Sequence, residues 1–249
     1  MTVNWRKTII ILLDVIIAVY LALAVTVFNR PDDKATVCTE VNIQIADTPG
    51  GGFLTPAEVK RLLEKQRLYP LAQPMQFVST RQMEEALLKN PYVAETECYK
   101  TQNGHICIKL TQRQPLLHIM TSKGEQYYID KQGDILPHTR LASNLLVATG
   151  SITKGYAQKW LTNVANQIQS DRFWNEQTEQ LNVLADGTLE LVPRVGDHVV
   201  YLGAPRDIPK KLERLRKFYK YGLSHAGWNR YERISVEFGN QIICKKRNS

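Results

Sequence analysis

Five histidines, His105, His118, His138, His198 and His225, are the side chains that could act as general bases or zinc ligands near neutral pH. None lies in an HExxH motif and no two stand four residues apart, so no helix face offers a pair to a metal or a hydrolytic water. The four cysteines, Cys38, Cys98, Cys107 and Cys244, contain no CxxC and fit no zinc spacing. There is no G-x-S-x-G elbow and no S-x-x-K with its companion motifs. Asp130 and Asp134 could be imagined as a pair of catalytic carboxylates, but both fall at strand and turn positions, where aspartate is favoured by backbone capping alone; Asp186 before Gly187 is alike. The expectation is a non-enzyme with no catalytic residue, cofactor, metal site or small-molecule substrate.

The elements begin with an apolar run. Thr8 to Phe28 is 21 nearly unbroken apolar residues, which as a helix would reach about 30 Å, the thickness of a bilayer's hydrocarbon core. Arg6 and Lys7 precede it, which places the N-terminus in the cytoplasm and exports the rest. A cleaved signal peptide is the alternative, because Ala22-Leu23-Ala24 resembles a cleavage site, yet the run outlasts a usual h-region. Ile9 and Val27 mark the two ends of the span, and Asp14 lies inside it. A carboxylate at the bilayer centre costs about 3 kcal/mol, so Asp14 either meets a partner helix or sits near enough to the cytoplasmic end to reach water and Lys7.

Hydrophobic residues make up 43 % of the chain and the net charge is +8, enough for one or two small cores outside the membrane and a preference for acidic partners or an anionic membrane surface. Nucleic acid is excluded by the exported compartment. That compartment is oxidising and permits disulfides; pairing is not legible from the sequence.

After the polar stretch Asn29–Thr36, Cys38 to Ile45 alternates as a half-buried strand and breaks at Pro49-Gly52. Thr55, Pro56 and Glu58 form a capping box for a helix with Val59, Leu62 and Leu63 inward. A second helix starts at Ser79 or Thr80, buries Met83, Leu87 and Leu88, and ends at Asn90-Pro91. Strands Tyr92–Lys100 and His105–Thr111 follow around Asn103-Gly104, with Ile106, Ile108 and Leu110 inward. This order, with Asn90-Pro91 before Val93 and an Ile-x-Ile-x-Leu strand stopping at Pro115, resembles a POTRA domain, an exported module that works by contact. Gln112 stands where such domains commonly carry an acidic residue.

The second half reads as strand Gln126–Asp130, a turn at Lys131-Gln132-Gly133, a short segment Asp134–Pro137 and an apolar run Asn144–Thr149. A helix over Thr153–Ser170 places Tyr156, Trp160, Val164 and Ile168 on one stripe. Strands near 179–184, 188–192 and 198–202 come next, the first two joined at Asp186-Gly187. A helix opened by Asp207 turns Leu212, Leu215, Phe218 and Tyr219 inward, and strands Arg233–Phe238 and Gln241–Lys245 close the chain. The fold class is α+β, a mostly antiparallel sheet covered by helices.

Three pieces carry a more specific resemblance: Tyr128-Ile-Asp130 with Gly133, the hairpin and Lys-Leu helix from Gly187 to Lys211, and the terminal Arg233–Lys246 stretch. In this order, behind the anchor and the POTRA-like half, they resemble the FtsQ/DivIB family of bacterial cell-division proteins. The implied plan is a cytoplasmic tail over 1–7, a transmembrane helix over 8–28, a linker over 29–36, a POTRA domain over 37–119 and an FtsQ-type β domain over 120–247. The resemblance implies a single-pass inner-membrane scaffold of the divisome at the septum, with its bulk in the periplasm. Its partners would resemble FtsB and FtsL, small coiled-coil proteins that lead to the septal wall-synthesis machinery.

Such a partner would add a strand to the closing sheet edge. The family position of that contact is Phe238, Gly239, Asn240, Gln241, Ile242 and Ile243, with Phe238 where other members often carry tyrosine. Other lineages extend past this strand, whereas this sequence ends at Ser249. Lys210, Lys211, Arg214, Lys217 and Lys220 on the adjoining helix could meet an acidic partner or form an ordinary solvated face; Lys210 and Arg214, four apart, would share a face. Arg81, Glu84, Glu85 and Lys89 could mark a recruitment site on the POTRA domain or plain surface. The alternatives from other classes are an exported cell-wall hydrolase and a POTRA-type secretion or assembly adaptor.

Overall fold

The computed structural model of the protein describes residues 5–24, 36–46, 53–139 and 145–247. Helix α1 spans Trp5–Leu23 and includes Arg6, Lys7 and Asp14. It opens earlier than the expected span, and Val25–Phe28, with Val27, lie outside the described residues. Among the described residues no helix is long and apolar enough to cross a membrane. Ile9, Ile10, Ile11, Leu12 and Leu13 are each 50–63 % exposed; at 100° per residue these five cover every face of α1.

The chain divides into two compact units, the first built from segments within 1–45, 56–87 and 96–110, the second from segments within 46–55, 88–95 and 111–249. In the first, β1 (Glu40–Ile45) keeps its expected alternation, with Val41, Ile43 and Ile45 half-buried. Helix α2 (Pro56–Lys65) opens on proline, whose missing N–H costs nothing in a first turn. Helix α3 (Thr80–Leu88) is capped by Ser79, whose hydroxyl accepts from the Gln82 amide at 3.3 Å. Met83 and Leu87 are buried as expected, but Leu88 is 50 % exposed. Five residues past Met83, it is rotated about 140° off the buried stripe, and Ala86 fills the place.

Strands β2 (Val93–Lys100) and β3 (His105–Gln112) flank the Asn103-Gly104 turn, where Gly104 adopts φ +74°. Ile106, Ile108 and Leu110 are all buried. The sheet order is β1-β3-β2, and β1 runs parallel to β3, with Ile43 opposite Ile108. A parallel pair needs a crossover, which α2 and α3 supply. Cys98 is buried, and Cys107 is half-buried on the opposite face from Ile106 and Ile108. All four cysteines are free thiols.

The second unit holds a nine-stranded sheet. Beyond β4 (Pro115–Thr121), β5 (Gln126–Asp130), β6 (Ile135–Pro137) and β7 (Leu146–Gly150), it contains β8 (Thr178–Val183), β9 (Leu189–Pro193), β10 (Val199–Gly203), β11 (Tyr231–Ser235) and β12 (Ile243–Lys246). The order is β12-β11-β10-β9-β8-β7-β4-β5-β6. Among the described residues the sheet is mixed, with antiparallel pairs outnumbering parallel ones five to three; β4–β7, β7–β8 and β10–β11 are the parallel pairs. Helical crossovers between β7 and β8 and between β10 and β11 make two of these possible. Pro115 does not end a strand but begins β4, where its missing N–H is tolerated. The boundary expected at residue 119 thus falls inside a strand of this sheet.

One crossover is Lys154–Ser170, with a π-helical stretch at Ala157–Leu161 between α4 (Lys154–Tyr156) and α5 (Thr162–Ser170). Its buried stripe is Ala157, Leu161, Val164, Ala165 and Ile168. Tyr156 and Trp160 lie at the margin because strict four-residue steps drift about 40° each against the helical repeat, and the Tyr156 hydroxyl donates to Gly187 O at 2.7 Å. Helix α6 (Arg172–Gln177) follows; Asp171 caps it by accepting from Phe173 and Trp174 amides, and Trp174 is fully buried. The second crossover is α7 (Ile208–Phe218), a π-helical stretch Tyr219–Leu223 and α8 (Ser224–Ala226). Leu117, Ile119, Ile129, Ala148, Leu181, Leu191, Val200 and Ile234 form the sheet side of one core, packed by Leu161, Ile168, Leu212, Leu215 and Tyr219. The other sheet face carries a small cluster of Phe53, Tyr128 and Leu136.

Candidate partner-docking edge

A sheet edge offers unpaired backbone groups, so the ends of the strand order are the places to look. One end, β6, is three residues long and finishes in Pro137, which blunts it. The other is β12, paired on one side only, antiparallel to β11, with Ser235 opposite Ile243 and Ile234 opposite Cys244. The last strand is therefore an edge, as expected. It is shorter than expected at its start: Phe238 to Ile242 form the connection from β11, and only Ile243 of the six family-implied contact residues lies in β12. Gly239 and Asn240 form the turn, and a turn leaves no ladder for those residues to join.

That connection faces the second crossover helix across a groove of about 500 Å³. Gly239, Asn240, Gln241 and Ile242 line one wall; Arg214, Lys217, Phe218, Tyr221 and Gly222 line the other. Phe238 and Ile243 are 47 % and 50 % exposed, and Tyr221 is 63 % exposed, an apolar margin on a basic surface. Gly222 has a steric reason: a Cβ there would sit 2.6 Å from the Phe218 ring. The structure thus brings Arg214 together with Gly239 through Ile242, and leaves Lys210 out of the groove, paired with Asp207 at 3.6 Å.

The basic helix is not one uniform face. Lys211 is buried, donates from Nζ to Ala204 O at 2.7 Å, and has its pKa lowered chiefly by burial; it is structural. Arg214 is half-buried and donates from Nη2 to Val236 O at 2.7 Å, tying α7 to the end of β11. Lys217 is exposed and pairs with Glu213 at 2.8 Å, and Lys220 lies over the Tyr221 ring at 5.1 Å. On β12 and after it, Lys245 pairs with Glu232, and the Arg247 guanidinium reaches Asp197 at 3.5 Å. Burial raises the Cys244 thiol pKa, so it stays a packed neutral group.

Tyr221 and Gly222 were not expected in the site. Arg214, Lys217, Phe218 and Tyr221 follow i, i+3, i+4, i+7 spacing, a second helical stripe beside the buried one. That signal was legible, but the charges at 214 and 217 masked it.

Asp130, Asp134 and His198 make contacts within the fold. Arg113 Nη1 donates to Asp130 at 2.8 Å and to Asp134 at 2.5 Å, and buried Asp130 also accepts from the Gln132 and Asp134 amides. His198 is buried with Nε2 2.8 Å from the Tyr219 hydroxyl, and burial lowers its pKa. Among the described residues no group of three or more His, Cys, Asp or Glu could hold a metal ion. Gln112, the departure from an acidic residue, is buried; its amide accepts from Leu54 N at 2.8 Å and donates to Leu54 O at 3.2 Å. A carboxylate could serve only the first bond. On α3, Glu84 accepts from the Cys98 amide at 2.7 Å, and Arg81 pairs with Glu85 at 2.9 Å.

A family model described as FtsQ/DivIB, C-terminal related, matches residues 114–245, and one described as a POTRA-like domain matches residues 36–111. No curated protein matches the chain.

Proposed function

The chain belongs to the FtsQ/DivIB family and is a division-related protein, and from that premise we propose that it is a non-enzymatic, membrane-anchored scaffold that recruits other division proteins by strand addition at β12. The observation that carries the reading is the edge position of β12 beside the groove between 239–242 and the 214–222 helix. An extended partner segment would take backbone hydrogen bonds from β12, while Ile243, Phe238 and Tyr221 cover its apolar side chains. Lys245 and Lys246 on the edge discourage indiscriminate pairing, and with Lys217 they favour a partner that brings acidic residues. Coiled-coil partners resembling FtsB and FtsL fit this role, leading on to the septal wall-synthesis machinery.

The anchor in this reading is α1. A helix apolar on every face is suited to lipid rather than water, and the exposure of Ile9 through Leu13 supports that placement. The sequence continues apolar to Phe28. In this reading the N-terminus is cytoplasmic, both units are periplasmic, and the protein works at the division septum.

The test is titration of the full chain in lipid nanodiscs with an FtsB-type partner, comparing wild type with Gln241→Pro and Ile242→Pro. Both positions lie in the connection that leads into β12 and line the groove beside it, so a proline there restrains the wall along which a docked segment would run. Lost binding with unchanged thermal unfolding is expected. Unchanged binding by a folded variant would refute docking at this edge.

A further inference from the structure

The first unit has an exposed apolar cluster at the end where its chain arrives from α1. Thr36–Cys38 pairs with residues 72–75: Cys38 N donates to Gln73 O at 2.9 Å, Met75 N donates to Thr36 O at 2.9 Å, and Val37 stands opposite Pro74. Cys38 and Met75 turn into the core. Their neighbours turn outward: Val37 and Leu71 are each 45 % exposed and Phe77 is 73 % exposed. Pro74 is exposed as well, and Pro74 and Phe77, three apart around a 3-10 turn, fall on the same side of it. No core uses these side chains, and such a patch marks an interaction surface.

The setting of the patch is cationic. Lys100 Nζ donates to Met75 O at 2.6 Å. Lys65 ends α2, and Arg67 follows in the turn leading to Leu71. Only the eleven residues 25–35 separate Ala24 from Thr36. Fully extended, they hold Thr36 within about 40 Å of the helix end. If α1 anchors the chain, as in the reading above on which this inference rests, the bilayer is the surface this patch meets at highest effective concentration.

We propose that this end of the first unit docks on the lipid surface, with Phe77, Leu71, Val37 and Pro74 entering the interfacial region and Lys65 and Arg67 facing anionic headgroups. Two anchoring elements would then fix the distance of the unit from the bilayer. A protein partner is the competing occupant, but the short tether and the cationic rim favour lipid.

The test places a photoreactive side chain in the full chain, Phe77→p-benzoylphenylalanine, reconstituted in vesicles of phosphatidylethanolamine and phosphatidylglycerol carrying radiolabelled lipid. The same substitution at Gln44, exposed on β1 and about 13 Å along the strand from Glu40, is the control. On irradiation, at least about tenfold more lipid adduct is expected at 77 than at 44. Equal labelling in chains that resist carbonate extraction would overturn the docking and leave the anchor standing. Chains released by carbonate would overturn the anchor and the docking with it. Adducts at 77 to a protein in native membranes, in place of lipid, would overturn the lipid assignment.

Discussion

Replacing Arg214 with alanine separates two roles for the helix beside β12. Its guanidinium donates to Val236 O at 2.7 Å and forms one wall of the groove. A charged donor on a partly buried carbonyl contributes about 1.5–3 kcal/mol, and its loss leaves that carbonyl unsatisfied. At about 3 °C per kcal/mol for a unit of this size, Arg214→Ala should lower Tm by about 4–9 °C. Lys217→Ala, on the same wall, removes only an exposed, solvent-screened pair with Glu213 at 2.8 Å. Its Tm should stay within about 1 °C of wild type. The assay is thermal unfolding of the full chain by circular dichroism, paired with partner titration. Both variants should weaken partner binding, Arg214→Ala by loosening the 236–242 connection and Lys217→Ala by losing a surface charge. An Arg214→Ala protein with unchanged Tm would refute the tether and make Arg214 a plain contact residue.

Asp130→Ala removes the acceptor for Arg113 and for two backbone amides at a buried position; a stability loss of about 2–4 kcal/mol is expected in chemical denaturation. His198 has a pKa lowered by burial, with Asp197 opposing, so the unfolded chain protonates first as pH falls. The stability it contributes is intact above about pH 6.5 and declines below it, with a slope of at most about 1.4 kcal/mol per pH unit until the folded pKa is reached. His118 adds in the same direction, through burial and then His138, and His198→Phe should flatten the slope measured between pH 7.5 and 5. Ile243→Asp should weaken partner binding about 30-fold or more, since it replaces half-exposed apolar surface with a carboxylate that must be desolvated.

Much of the architecture was legible because turn chemistry and period-2 patterning agree locally. Ile106, Ile108 and Leu110 are buried as a row, and Gly104 and Gly187 sit at the two expected hairpin turns with positive φ. What was not legible depended on partners distant in sequence. Pro115 reads as a stop, yet it starts β4, because the next strands supply a sheet that needs no N–H from it. Gly150 looks like a simple break, but a Cβ there would lie 2.2 Å from Val183 O, a contact set by the β7–β8 pairing. Helix α6 is six residues long and apolar mainly at Phe173 and Trp174, too little for a period to register. At the candidate site the edge position of the last strand came from the family resemblance, and the strand order places β12 at the end of the sheet. The Arg214 tether was not, because its acceptor is a backbone carbonyl that has no sequence signature.

In the proposed complex a partner pairs with the outer side of β12. Backbone amide hydrogen exchange over Ile243–Lys246, measured by NMR on the full chain in nanodiscs with and without an FtsB-type partner, tests it directly. Strand addition gives slowed exchange at alternate amides of β12, those not already paired with β11. A saturated complex in which every β12 amide exchanges at its free rate would contradict it.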